Sequence, residues 1–455
     1  MAYAPAMETE LRKGSEFRGL RVHGVLAHGG MGTAYLVSHG VLKCPLILKT
    51  FTPPKGTEIF QEAQLAARVA SPHVVAVLDA GFENGMPFLV QRYVDGLDLQ
   101  EIVDHHSDVP LATGAVVRMV ADVARGLGVI HRAGVVHRDI KPANLFLCGD
   151  GSALLGDFGI ARDKVRVAGS SEPPAGTPLF IAPEIWNGAQ ATPRSDLYAL
   201  GATAHLMATG RKLYERDSPA QLFLAHCTEP YVAPLTDDPG RAFLFTTIAQ
   251  LLAKEPHERP PHAEAVVRLL ARIEQPLEPF TQRGENHARV CGVNVELRHG
   301  DLASAEADVL VNAAYSHLTM DLGVAASLRD VGGQAIEDEA MAHAPRGMGD
   351  VVWTTAGNLH AKHVAHAIAA IDDAICIQRA TLRTLLGARQ RRVATIAFPA
   401  LGTGVGQVPH ALGAKLMFEA IRTFASMGRG SIEQVQLWLY DPESFAVWRD
   451  VLAGM

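Results

Sequence analysis

His137-Arg138-Asp139, then Lys141 and Asn144, then Asp157-Phe158-Gly159, form the densest chemical pattern in the chain, in the strings HRDIKPANL and DFGIAR. Moving a phosphoryl group takes an oriented hydroxyl, a cation clamp on the phosphates and positive charge on the group in flight. Asp139 can accept the hydroxyl's hydrogen bond. Asn144 and Asp157 can offer the hard oxygen ligands that Mg2+ takes. Lys141 can sit against the transferred phosphate. Each residue alone reads as structural; their joint order and spacing carry the chemistry.

Upstream, Gly29-Gly30-Met31-Gly32 separates two strand-like runs. Glycine turns let backbone N–H groups approach a phosphate because no Cβ stands in the way. By itself the same string reads equally as a plain hairpin. Lys49 ends the apolar run LILK and can neutralise a phosphate or remain solvated. Glu62, on a helix predicted over 58–70, can pair with it.

A second set lies beyond residue 289. Gly300-Asp301-Leu302 follows one strand-like run. Val309-Leu310-Val311-Asn312-Ala313-Ala314 ends another in a turn of small residues. Ala397-Phe398-Pro399 runs into Leu401-Gly402-Thr403-Gly404-Val405-Gly406. Open parallel sheets bind ligands at the C-terminal ends of their strands, and glycine loops there present N–H groups to a pyrophosphate. Alone, Gly402–Gly406 is equally a tight turn.

The elements that must hold these residues differ along the chain. Residues 17–50 alternate apolar and polar residues as short strands do. From residue 113 the pattern is helical: Val116, Val120, Val123, Leu127 and Ile130 form one buried stripe, closed by Gly134. Residues 276–288, QPLEPFTQRGENH, read as a linker. Beyond them Val309–Val311, Val393–Phe398 and Val435–Tyr440 read as strands between helical stretches such as Met417, Ile421 and Phe424. That alternation predicts a parallel, three-layer α/β domain. His360, His363 and His366 suggest a metal site, but the segment NLHAKHVAHAIAA reads as a strand, which would point His363 away from the other two.

The composition bounds the rest. The 455 residues are 48% hydrophobic and 20% charged, which excludes general disorder. With 41 Lys+Arg against 48 Asp+Glu, and neither half basic, no nucleic-acid-binding stripe is expected. Cys44, Cys148, Cys227, Cys291 and Cys376 are dispersed and odd in number, which predicts reduced thiols. The start lacks a basic-then-apolar leader and no run of about 20 apolar residues occurs, so a cytoplasmic, non-membrane protein is expected.

Residues 17–275 resemble the eukaryotic-like (Hanks-type) Ser/Thr protein kinases of bacteria. Further matches are Gly176-Thr177-Pro178, Ala182-Pro183-Glu184, Asp196 in SDLYALG and Arg259 in LAKEPHERP. The resemblance implies an α+β bilobal fold using ATP and Mg2+. It implies Asp139 and Lys141 in catalysis, with Lys49 and Glu62 as a pair, and Asn144 and Asp157 as metal ligands. ATP would meet Gly29, Gly32, Lys49 and the backbone of Arg92 and Val94, with Gln91 as gatekeeper. Glu184 and Arg259 would form a buried ion pair, and Asp196 would support the catalytic loop. Arg138 implies control by phosphorylation of the activation loop, where Ser170 and Ser171 are the candidates. Two departures sit over adenine: Ile47 replaces a small residue and Ala34 a larger one, a swap that compensates by volume or weakens ATP binding.

Residues 289–455 resemble the macro domain, an α/β three-layer fold with an ADP-ribose cleft. Position by position, Asp301 would accept the adenine amino group and Tyr440 would stack on the ring. Asn312 would lie near the distal ribose. Gly402, Thr403, Gly404, Val405 and Gly406 would wrap the diphosphate, and Gly323 and Val324 would close the other side. Tyr315 replaces an asparagine, the first loop is Asp321-Leu322-Gly323, and Ala325 stands where hydrolytic members often carry Asp. These departures favour a reader over a hydrolase acting through Asp321.

The expected organisation is a tail over 1–16, a kinase domain over 17–275, a linker over 276–288 and a macro domain over 289–455. The expected partners are protein substrates and ADP-ribose or an ADP-ribosylated protein, with no nucleic acid and no membrane; kinase dimerisation is allowed. The alternatives are a pseudokinase scaffold with an ADP-ribose reader, or a kinase that also hydrolyses ADP-ribosyl groups.

Overall fold

The alternating residues near the start build a six-stranded antiparallel sheet in a computed structural model, which describes residues 11–29, 32–41, 44–51, 70–106, 109–157, 178–371, 374–404 and 406–455. Its strands are β1 (Glu16–Phe17), β2 (Leu20–Gly29), β3 (Gly32–His39), β4 (Pro45–Phe51), β5 (Val77–Glu83) and β6 (Met86–Arg92), in the order β1-β2-β3-β4-β6-β5. Val22, Tyr35, Val37, Leu48, Phe88 and Val90 pack on one face as its core. Of the helix predicted over 58–70, residues 58–69, with Glu62, lie outside the described residues, as do Gly30, Ser170, Ser171 and Val405.

A hinge leads to the helical half. It contains β7 (Gly96–Asp98), α1 (Leu99–His105), α2 (Thr113–Arg132), β8 (Leu145–Cys148) and β9 (Ala153–Leu155). There follow α3 (Pro183–Trp186), α4 (Pro193–Thr209), α5 (Pro219–Thr228), α6 (Pro239–Leu251) and α7 (Ala263–Leu270). The predicted stripe of α2 is its buried face: Val116, Val120, Val123, Leu127 and Ile130 expose at most 1%. A face spaced at i+3 and i+4 falls on one side of a helix and drives it into the core.

The second domain is an eight-stranded sheet, β10-β11-β12-β19-β18-β13-β15-β14. The strands are β10 (Thr281–Gly284), β11 (His287–Val290), β12 (Val293–His299), β13 (Val309–Ala313), β14 (Val351–Thr355), β15 (His363–Ala367), β18 (Thr395–Pro399) and β19 (Gln434–Leu439). A small hairpin, β16 (Ala370–Ile371) with β17 (Ala374–Ile375), follows β15. The helices are α8 (Gly323–Gly332), α9 (Ala335–Met341), α10 (Ile377–Gln390), α11 (His410–Gly428) and α12 (Pro442–Ala453). Val309 and Val311 face one core cluster and Leu310 the other, which is the three-layer arrangement read from a period of two.

The predicted all-parallel sheet is corrected at its edges. Strands β12, β19, β18, β13 and β15 are parallel, but β14 pairs antiparallel with β15, and β10 and β11 with their neighbours. Only Cys291 and Gly292 separate β11 from β12. A two-residue turn can make only antiparallel neighbours, since a parallel pair needs a crossover of a dozen residues or more. The stretch 276–288 contains β10 and the start of β11.

The two domains touch. One cluster of buried residues runs from α2 through Phe280 into α10 and α11. The Ala112 N–H donates to the Met427 carbonyl at 3.0 Å, and the Thr423 hydroxyl donates to the Gly149 carbonyl at 2.6 Å. A cavity of about 510 Å³ opens along this seam between α1 and β14, lined by Glu101, His105, Arg346, Trp353, Arg383 and Arg391. It belongs to neither glycine-loop cleft. All five cysteines are unpaired. No helix among the described residues is long and apolar enough to cross a membrane.

Candidate functional site

The first cleft lies between the six-stranded sheet and the helical half. Asp139 sits in the loop after α2, where Asn144 Nδ2 donates to its carboxylate and to its carbonyl oxygen, both at 2.8 Å. Lys141 Nζ lies 3.1 Å from the same carboxylate. Three predicted chemical residues therefore converge on one group.

The loop carrying them is held from below by Asp196, on α4. Its carboxylate accepts the N–H groups of His137 at 2.8 Å and Arg138 at 2.9 Å, and lies 2.8 Å from His131 Nε2. These bonds hold Arg138 at φ +67°, a left-handed conformation that a long side chain rarely adopts. His137 is wholly buried and burial lowers its pKa, so the ring is neutral at physiological pH. A neutral ring with Nε2 2.9 Å from the Gly156 carbonyl donates there. That bond ties the catalytic loop to the residue preceding Asp157.

Asp157 follows β9 at φ +48° and pairs with Lys49 on β4. The donor set fits Mg2+. With Asn144 Nδ2 bonded to Asp139, the amide oxygen is the atom left for a cation, and Asp157 adds a carboxylate. The expected partner of Lys49, Glu62, is outside the described residues; the lysine's ion pair here is to Asp157.

Of the glycine loop, Gly29 and Gly32 are described, paired opposite each other where β2 ends and β3 begins. A Cβ on Gly32 would collide with the Thr50 carbonyl oxygen, so glycine is needed here for the close approach of β4 itself. At the hinge, the Arg92 N–H is taken by the Ala76 carbonyl at 3.0 Å, while the Val94 backbone makes no hydrogen bond to another described residue. Ile47 is flanked by Leu36 on β3 and by Gln91 on β6. It packs against a cluster of Leu36, Tyr93, Met348 and Cys376, two of which come from the second domain. Glu184 and Arg259 form the implied ion pair, with both guanidinium nitrogens on the carboxylate at 2.7 and 2.8 Å.

The second cleft is at the C-terminal ends of the parallel strands. Asp301, Asn312, Gly402 and Tyr440 stand at the ends of β12, β13, β18 and β19. Tyr440 is 79% exposed and presents its aromatic face to solvent among the described residues. The Asp301 carboxylate accepts the Ala303 N–H at 2.9 Å and the Ser327 hydroxyl at 2.6 Å, which leaves lone pairs on both oxygens. Gly323 and Val324 open α8, next to Asp321, which is exposed and bonded to Arg329. Tyr315 is half-buried, and Ala325 is buried.

Asn312 is wholly buried, and its Oδ1 has no hydrogen-bond partner among the described residues. Its Nδ2 lies 3.1 Å from His366 Nδ1, and His366 Nε2 lies 3.0 Å from the Thr354 hydroxyl. Burial pushes the His366 pKa down to about 4, so the neutral ring accepts at Nδ1 and donates at Nε2. The sequence leaves His366 as a solvated or core histidine; in the structure it is in the core and orients Asn312. The strand expected across residues 358–370 starts only at His363, and His360 stands in the turn before it.

Comparison with known proteins matches these two clefts to two families. A protein kinase domain model matches residues 20–268, and a macro domain model matches residues 311–417. Serine/threonine-protein kinase PknH of Mycobacterium bovis is 33% identical over 259 residues, covering 54% of this chain and 43% of that protein. The probable serine/threonine-protein kinase pknA2 of Bifidobacterium longum is 35% identical over 302 residues, covering 63% and 38%. The chain thus spans less than half the length of these curated relatives. The crystal structure of the Mycobacterium tuberculosis PknI kinase domain is similar over 58% of this chain and 99% of its own, at 27% identity and a TM-score of 0.45. Sequence match and loop geometry agree, and the chain belongs to the protein kinase family, with a macro domain following its kinase domain.

Proposed function

We propose that this chain is an ATP- and Mg2+-dependent protein Ser/Thr kinase whose macro domain binds ADP-ribose, free or on a modified protein, and regulates or recruits the kinase. The observation that carries the kinase reading is the convergence of Asn144 and Lys141 on the Asp139 carboxylate. That carboxylate is aimed to accept the hydrogen bond of a substrate Ser or Thr hydroxyl and align its oxygen for in-line attack. Lys141, beside it, offsets charge on the transferred group, and Lys49 holds the phosphates. Mg2+, held by Asn144 and Asp157, would supply charge neutralisation on the phosphates. The Val94 backbone, which makes no hydrogen bond to another described residue, is suited to the adenine edge.

The alternative, a pseudokinase scaffold with an ADP-ribose reader, is motivated by Ile47 and Tyr315. The packing of Ile47 against Leu36, Tyr93, Met348 and Cys376 favours a side chain accommodated by its neighbours. Radiolabel transfer from ATP to protein Ser/Thr is expected for the wild type and not for Asp139→Asn. Equal transfer by both would remove the kinase reading.

The macro reading is carried by exposed Tyr440, the acceptor Asp301 and the glycine loop at the ends of adjacent strands. A reader is favoured over a hydrolase because Ala325 supplies no carboxylate and Asp321 is engaged by Arg329 on the rim. ADP-ribose is expected to raise the thermal midpoint by mass action, with no release of ADP-ribose from a modified protein. Release that Asp321→Ala abolishes would instead establish the hydrolase.

A further inference from the structure

Helix α10 begins where three things meet: the hinge of the kinase, the glycine loop of the macro cleft, and the seam between domains. The Asp95 carboxylate, one residue beyond Val94, accepts the backbone N–H groups of Gln378 at 3.0 Å and Arg379 at 2.8 Å. These are first-turn donors of a helix 14 residues long, which have no partner within the helix. A carboxylate there also meets the positive end of the helix dipole. Asp95 is a kinase residue capping a macro-domain helix.

Around that bond the docking is dense. Tyr93, which separates Arg92 from Val94, packs with Met348 and Cys376, and Ile47 over the adenine pocket packs on the same cluster. One turn further along α10, Arg383 forks onto Glu101 of α1. On its other side, the first residue of α10 supports the macro loop. Gly402 lies at φ +77°, and a Cβ there would sit 2.7 Å from Ile377 Cδ1. No void separates the loop from the helix, so a displacement of one is felt by the other.

We propose that the first turn of α10 is a positioning element shared by both clefts: it sets the adenine-binding hinge through Asp95 and floors the Gly402 loop through Ile377, so that filling either cleft changes affinity in the other. The coupling half rests on the ADP-ribose reading of the macro cleft; the hinge half does not. Val94 presents its backbone to adenine, and its neighbour is pinned to a helix end. A diphosphate that orders the Gly402 loop also holds Ile377 and the turn it begins. The hinge then loses less freedom when adenine binds, which makes the coupling positive. Linkage requires the same factor in both directions.

The test uses the full chain. A non-hydrolysable ATP analogue with Mg2+ is titrated calorimetrically with and without saturating ADP-ribose, and ADP-ribose with and without the analogue. About fivefold or greater tightening is expected in both directions. Equal affinities in a chain that binds both ligands overturn the coupling. Asp95→Ala is expected to abolish it and to raise the ATP KM several-fold while kcat moves by less than about twofold, a split that marks lost ground-state binding. Asp95→Asn, which keeps one acceptor oxygen, should recover part of the KM. An unchanged KM in Asp95→Ala overturns the hinge role.

Should Asp95→Ala fail to fold, Ile377→Ala cuts the connection at its other end. It is expected to bind each ligand but without mutual effect; full coupling in Ile377→Ala overturns the proposal. ADP-ribose that does not bind at all shows in its own titration. That result removes the macro reading and the coupling together, and the KM test of Asp95 still decides the hinge role.

Discussion

Arg383 of the macro domain lays two hydrogen bonds across Glu101 of the kinase domain, Nε to Oε1 at 2.5 Å and Nη2 to Oε2 at 2.9 Å. Its remaining Nη1 reaches Asp350 at 2.8 Å and the Gly349 carbonyl at 3.0 Å. Burial alone would raise the Glu101 pKa, but the Arg383 guanidinium outweighs it and the net shift is downward. Arg383→Ala leaves two carboxylates without their cation and is expected to cost about 2–4 kcal/mol. Arg383→Lys should recover less than half, since an ammonium cannot fork. A double-mutant cycle with Glu101→Ala, read by thermal unfolding, checks this; a coupling below about 0.5 kcal/mol would contradict it.

Asp95 should give the opposite pH slope. Burial pushes its carboxyl up from 3.8 to about 6, and hydrogen bonds from Arg379 and Gln378 offset this only in part. The folded state therefore holds the proton more tightly than the unfolded state. The associated stability is full below about pH 4 and is lost as pH rises through about 6, by about 3 kcal/mol at most. Asp95→Asn does not titrate. The stability difference between wild type and Asp95→Asn should move against the wild type across that window, and a flat difference would refute the assignment.

Asp196 holds the catalytic loop without touching substrate. Asp196→Asn keeps one acceptor oxygen for a site that uses both with His137 and Arg138. The loop then relaxes from the strained φ at Arg138. We expect kcat to fall about 10²-fold, as small misplacements of a catalytic group do, with little change in the ATP KM. A fall in KM-governed binding alone would point elsewhere.

Arg259 has no side-chain exposure and bonds Glu184 through both terminal nitrogens. Arg259→Ala strands the Glu184 carboxylate in the helical half and should cost about 3–5 kcal/mol. Circular dichroism melts of Arg259→Ala and of Arg259→Ala with Glu184→Gln separate the causes. The double variant should be the more stable of the two.

Gly402→Ala should strike the macro cleft. Its positive φ and the nearness of Ile377 leave no place for a methyl group. The loop must shift, at a cost of about 1–3 kcal/mol, and ADP-ribose affinity should fall at least about tenfold. Unchanged affinity by calorimetry would show that the loop does not wrap the ligand.

The catalytic loop was legible because its chemistry is local. Asp139, Lys141 and Asn144 fall within six residues, and no other arrangement of the chain could separate them far. The α2 stripe and the alternation of β13 were legible for a similar reason: each is a periodicity that one element satisfies by itself. The edge strands were not, since pairing direction follows from connection length, which an alternating pattern does not encode. His366 is the core histidine that rejecting a metal site implied, but its partner Asn312 is 54 positions away and no local pattern announces the pair.

From residue order alone came the two families and the two fold classes. Tertiary structure alone decided that the two domains pack against each other at the start of α10. The hydrogen bond that joins Asp95 to Gln378 spans 283 positions. Such a contact leaves no period and no motif, because its energy comes from burying one domain's unsatisfied helix end against the other's carboxylate.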